Sequence, residues 1–123
     1  MLWHTTSQFK PPIDVIELSD RIVILVEVAG MRADDFRISL NGDEVTISGV
    51  RHRPIFESTA HHRVEIGYGE FRLKIPLPWS IHSDKVSANY QDGFLRLDLP
   101  RRAEKKIRIV DIENRQDTTP DDE

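Results

Sequence analysis

The sequence predicts an all-β chain folded as an antiparallel β-sandwich, and three observations predict it. Seven or more short segments alternate apolar and polar residues with a period of two. Turn-forming pairs, Ser19-Asp20, Asn41-Gly42 and Asp92-Gly93, separate several of them. No stretch carries a convincing helical period, and there is no internal repeat.

Residues 1–12 form a short arm carrying Trp3 and Phe9; Pro11-Pro12 stops regular structure and marks a boundary. Residues 13–18 are the first strand candidate. Residues 21–29 are apolar on both faces, with Ile22, Ile24, Val26 and Val28 against Val23 and Leu25, so this strand is central. After Ala29-Gly30 and a connector, Phe36, Ile38 and Leu40 alternate with Arg37 and Ser39. Asn41-Gly42 turns the chain into a strand with Val45 and Ile47 inward and Gly49 at a bulge. Residues 51–62 are irregular, contain Pro54 and exceed a simple hairpin turn; they form a long loop, or a loop carrying one short strand. Pattern resumes at 63–66 and again at Phe71, Leu73, Ile75 and Leu77, with a bend at Gly67-Tyr68-Gly69 between them. Pro76 and Pro78 indicate an edge or a strand end. Val86, Ala88 and Tyr90 alternate with polar residues, and Asp92-Gly93 leads into the strand of residues 94–99.

Beyond Pro100 a basic linker precedes Ile107-Arg108-Ile109, whose isoleucines share one face of an extended chain. Such a pair is either a last strand of the same domain or a plug for a groove on another subunit. Val110 and Ile112 extend the apolar run.

At 123 residues, 38% apolar and 31% charged, the chain suits one soluble globular domain. No apolar run has the length of a membrane span, and the first residues lack a signal-peptide pattern. There is no cysteine, which excludes disulfides and thiol chemistry and fits a cytoplasmic protein. Residues 113–123 hold five acids and one base and so carry the entire net charge of −4. This tail has almost no apolar residues and is expected to be disordered, keeping a neutral body soluble.

No catalytic constellation is present. There is no phosphate-binding glycine loop and no nucleophile elbow, and Asp34-Asp35 and Asp43-Glu44 read as turn acids, so the chain is not expected to be an enzyme. His61 and His62, with His52 and Glu65 nearby, match no zinc spacing, and neighbours on a strand point to opposite faces. No metal or other cofactor is expected. Arg101, Arg102, Lys105, Lys106 and Arg108 are interrupted by Glu104 and lack an aromatic platform, so they read as a solvated linker rather than a nucleic-acid patch.

The order of several motifs resembles the α-crystallin domain of the small heat-shock protein family. Ala88, Gly93, Phe94 and Leu95 resemble its signature of an alanine, four residues, glycine, a hydrophobic residue and leucine. Tyr68-Gly69-Glu70-Phe71 with Leu77-Pro78 resembles a second signature, and Ile107-Arg108-Ile109 the family's C-terminal anchor. The resemblance implies an immunoglobulin-like sandwich over residues 13–100, after an arm at 1–12 and before an extension at 101–123. It implies an ATP-independent holding chaperone that binds partly unfolded clients, as a homodimer assembling into a higher oligomer, with no nucleic-acid or membrane partner. A loop strand (Arg53, Ile55, Phe56) would pair with the first strand (Ile13, Val15) of the partner. Ile107 and Ile109 would dock in a groove lined by Phe36, Ile38, Leu40, Val86, Ala88 and Tyr90, and the arm, with Trp3 and Phe9, would touch clients. Leu73 stands where the family often has an arginine, so that residue's dimer role is not carried over. The arm is shorter than the family's usual one, which favours a smaller oligomer. A co-chaperone or adaptor using a related CS-type sandwich is the alternative.

Overall fold

In the computed structural model, residues 8–57 and 60–103 are described. Trp3, Ile107, Ile109 and the acidic tail fall outside them. Among the described residues, seven strands form where the alternation is clearest: β1 (Ile13–Glu17), β2 (Arg21–Glu27), β3 (Phe36–Asn41), β4 (Glu44–Arg51), β5 (Gly69–Pro76), β6 (Ser87–Gln91) and β7 (Phe94–Pro100). Single 3₁₀ turns occupy Ala33–Asp35 and Ser83–Lys85. The strands make two antiparallel sheets, ordered β1-β2-β7-β6 and β3-β4-β5.

The core lies between the sheets. Ile22, Ile24 and Val26 of β2, with Leu95, Leu97 and Leu99 of the adjacent β7, face Val45 and Ile47 of β4 and Phe71, Leu73 and Ile75 of β5 across it. Each such side chain contributes about 1.5–3 kcal/mol on burial. β2, apolar on both faces, sits between β1 and β7 as its pattern requires. Its outward-facing Val23 is also buried. Arg21, on the same face, reaches diagonally to Asp98, the residue opposite Val23, and the pair flanks it.

The tightest turn follows the sequence closely. Asp92 (φ 54°) and Gly93 (φ 83°) are both left-handed, as a two-residue type I′ loop demands. The β3–β4 turn differs by one position from its expected place. Asn41 pairs with Glu44 as the last rung, and the loop is Gly42-Asp43, with only Gly42 at positive φ (67°). At Gly49 the expected bulge is absent: the register runs unbroken through Phe36, Gly49 and Phe71. Glycine is needed there for space, because a Cβ would stand 2.9 Å from the Asp35 carbonyl oxygen and 3.0 Å from the Phe71 ring. The segment 63–66, expected to resume strand pattern, forms none and pairs with no strand among the described residues. Among the described residues no helix is long and apolar enough to cross a membrane.

Candidate functional site

β3 and β6 are each one of the two outer strands of their sheet. Alternation places Phe36, Ile38 and Leu40 on one face of β3, and Val86, Ala88 and Tyr90 on one face of β6 and its approach. Phe36, Leu40, Val86 and Tyr90 are half-buried against the core, whereas the middle residues, Ile38 and Ala88, are exposed. The Phe36 and Tyr90 rings meet at 5.2 Å and join the two edges at one end. Tyr90 is held there by its hydroxyl, which donates to the Val28 carbonyl (2.8 Å) and accepts from the Met31 amide (3.3 Å). The two edges therefore present an apolar row with a supported end and an open middle. The residues expected to line a groove are thus brought to facing edges; the anchor expected to fill it lies outside the described residues.

The second surface is the segment 52–68. It contains no strand among its described residues. Ile55 is 95% exposed, Phe56 77%, Val64 56% and Ile66 62%. With Arg53 and Tyr68 these side chains line an open concavity of about 470 Å³. Arg53 stacks its guanidinium 4.6 Å from the Tyr68 ring centre. β1 is the other outer strand of the larger sheet, and Val15, opposite the inward-facing Ile24, is nevertheless 45% exposed, while Ile13 is half-buried against the core. Four exposed apolar side chains on one irregular segment are more than scattered surface residues.

Phe9, on the arm, is open in sequence to binding clients, packing on the sandwich or having no role, and the structure has it packed. It packs against the core, with its ring edge-on to Phe71 at 5.5 Å. Gln8 exchanges two hydrogen bonds with Glu70: its amide donates to the Glu70 carbonyl (2.7 Å), and its Oε1 accepts from the Glu70 amide (2.8 Å). Packing thus begins before Pro11-Pro12. A lone aromatic ahead of two prolines gave no periodic signal from which this could be read.

The chain leaving β7 is also held. The Arg101 amide donates to the Asp20 carbonyl and the Arg102 amide to the Ser80 carbonyl, both at 2.9 Å. Arg101 pairs with Ile81, and its guanidinium lies 5.1 Å from the Trp79 ring. The extension therefore starts from a fixed point and direction.

Among the described residues two titratable groups, each other's partners, are clearly perturbed: Asp98 is shifted down and Arg96 up. A bidentate hydrogen bond from Arg96 (2.7 and 3.0 Å) holds the Asp98 carboxyl below the usual carboxylate range, helped by the charges of Arg96 and Arg21 and opposed by partial burial. Arg21 Nε is buried without a hydrogen bond, and Asp98 at 3.3 Å supplies its counter-charge. This cluster lies on the outward sheet face and serves the fold. His61 and His62 are exposed, and no described group of three or more His, Asp or Glu side chains could hold a metal.

Known proteins resemble the chain in sequence and in fold. The model of the Hsp20/alpha crystallin family matches residues 14–113. Spore protein SP21 of Stigmatella aurantiaca is 30% identical over 105 residues, which cover 85% of this chain and 62% of that protein. A 19.0 kDa class II heat shock protein of Oryza sativa is 34% identical over 113 residues, covering 82% of this chain and 65% of that protein. The chain thus spans somewhat under two thirds of the length of these relatives. A small heat-shock protein of Xylella fastidiosa, solved in a distinct high order structure, superimposes with a TM-score of 0.72 at 26% identity, covering 88% of this chain and 100% of that one. The sandwich, its paired edges and its sequence motifs agree with this match over most of the chain, and the chain belongs to the Hsp20/alpha crystallin family.

Proposed function

We propose that the protein is an ATP-independent holding chaperone, working in the cytoplasm, that covers the exposed apolar surface of partly unfolded proteins and so slows their aggregation. The observation that carries this reading is the apolar row between β3 and β6, open at Ile38 and Ala88. Such a surface binds extended apolar chain through side-chain pockets and strand edges, without reaction or nucleotide.

Two assembly contacts accompany it. Arg53, Ile55 and Phe56 of one copy pair along β1 of a second, beside Ile13 and Val15, giving a homodimer. Covering Ile55 and Phe56 would contribute about 1.5–3 kcal/mol each before the entropic cost of ordering the segment. Ile107 and Ile109 then plug the β3–β6 groove of a neighbouring dimer, so anchor and client compete for one surface. Trp3 and Phe9 add client contacts when the arm is free.

The test introduces Ile38→Lys with Ala88→Lys at the open centre of the groove. Both positions are exposed, so the sandwich should keep its thermal midpoint. The variant should lose suppression of client aggregation and fall to dimers in native mass spectrometry. A variant that assembles and protects like the parent rules the groove out. The anchor is tested separately: Ile107→Ala with Ile109→Ala should leave the fold intact and also give dimers, since losing two buried side chains costs a few kcal/mol, roughly, per docking site.

A further inference from the structure

Gly67-Tyr68-Gly69 does more than bend the chain. A Cβ at Gly67 would stand 2.8 Å from the Phe9 Cβ, and one at Gly69 would collide with Gln8 Oε1. The backbone of 67–69 is a cradle that exists because both positions lack side chains, and Gln8 and Phe9 fill it. Arg51 closes its other wall. Nε and Nη2 both donate to the Gly67 carbonyl, Nη1 donates to the Ala29 carbonyl at 3.1 Å, and the guanidinium lies 4.7 Å from the Phe9 ring and 5.4 Å from the Tyr68 ring. Gln8 bonds the next residue pair through Glu70. Arg51–Gly69 and Val50–Glu70 are the last rungs of the β4–β5 ladder, the point from which the segment 52–68 leaves the sheet and returns.

We infer that Gln8-Phe9 is a latch on that root: Phe9 in its cradle holds Arg51, Gly67 and the final β4–β5 rungs together, and release of the arm and loosening of the root are one event. The cradle has one occupant and Arg51 touches both sides of it, so each half stabilises the other, as linkage requires. The consequence rests on the proposed function: opening the latch would free Phe9 toward a client and free the segment that carries Ile55 and Phe56 toward a partner.

Hydrogen exchange read by mass spectrometry on the full chain tests it, with Phe9→Ala as the main variant. Losing an edge-on aromatic pair and a cation–π contact should speed exchange of the amides at Arg51 and 69–71 by about tenfold, with β2 and β7 unchanged. Gly67→Ala, which blocks the cradle without altering the arm, should reproduce this, and so should Arg51→Lys, which cannot hold Gly67 and Ala29 together. Faster exchange confined to residues 8–10 overturns the latch, and so does equal acceleration throughout β2 and β7, which would make Phe9 an ordinary core residue. Sedimentation of the same samples separates this from the pairing claim. A monomeric parent with the predicted exchange response supports the latch and sinks strand exchange; a dimeric parent whose root ignores Phe9→Ala does the reverse.

Discussion

Tyr90 shows how single atoms set up a surface. Its ring closes one end of the apolar row against Phe36, and its hydroxyl ties the connector after β2 through Val28 and Met31. Tyr90→Phe keeps the ring contact and leaves both backbone groups without that partner, so it should cost about 1 kcal/mol in a urea midpoint. Gly49→Ala forces a methyl against Asp35 and Phe71 and should cost about 1–3 kcal/mol by overpacking. Asp98 gives a pH signature. Its folded pKa is depressed, so its contribution is present above the unfolded carboxylate value of about 3.9 and is lost as pH falls below that through the folded value. Because Arg21 and Arg96 are both more than a third exposed, solvent screening limits the effect to about 1 kcal/mol or less. Asp98→Asn should therefore be less stable than the parent at pH 7 and converge with it on acidification below about pH 3.9. A gap that persists into that range would mean that the carboxamide disturbs packing instead.

At the scale of elements, period-two alternation was enough to find six of the seven strands within a residue or two, and two-faced apolarity placed β2 in the middle of its sheet. Asp92-Gly93 was readable because two adjacent left-handed residues need that chemistry. β4 was under-read, since Gly49 suggested a bulge; a glycine required for a close approach to Phe71 looks the same in sequence as one required for a bend. Val64 and Ile66 alternate like a strand, but a strand exists only where another backbone meets it, and periodicity cannot say whether that backbone belongs to the same chain. The same physics bears on 52–68. If its apolar residues await a partner's β1, replacing 52–68 by a tight turn should give a stable monomer by sedimentation. A shortened variant that still dimerises at micromolar concentration counts against strand exchange. Which residues of β3 and β6 share a face was legible, because alternation fixes it. The seat of Phe9 was not, since it depends on two glycines and an arginine far away in sequence.

Across the whole molecule, the net charge falls in one stretch of the sequence. The first 112 residues balance at sixteen acids and sixteen bases, and residues 113–123 carry the net −4. Truncation after Ile112 should change thermal stability by less than about 0.5 kcal/mol, as removal of a solvated tail would. It should lower the solubility of the protein and especially of its client complexes, because mutual repulsion is lost. Equal turbidity for the two versions across a range of salt would show the tail to be inert. The sandwich presents an open apolar row between two sheet edges and a second exposed apolar segment, and the proposed function has both hold other chains. The most direct test is light scattering of a heat-denatured client with and without this protein, in the absence of ATP. Suppression is expected at near-stoichiometric ratios. It should strengthen with temperature, as anchors leave grooves and the open population grows. Undiminished client aggregation at a several-fold excess, at temperatures where subunits demonstrably exchange, would contradict the holding-chaperone account.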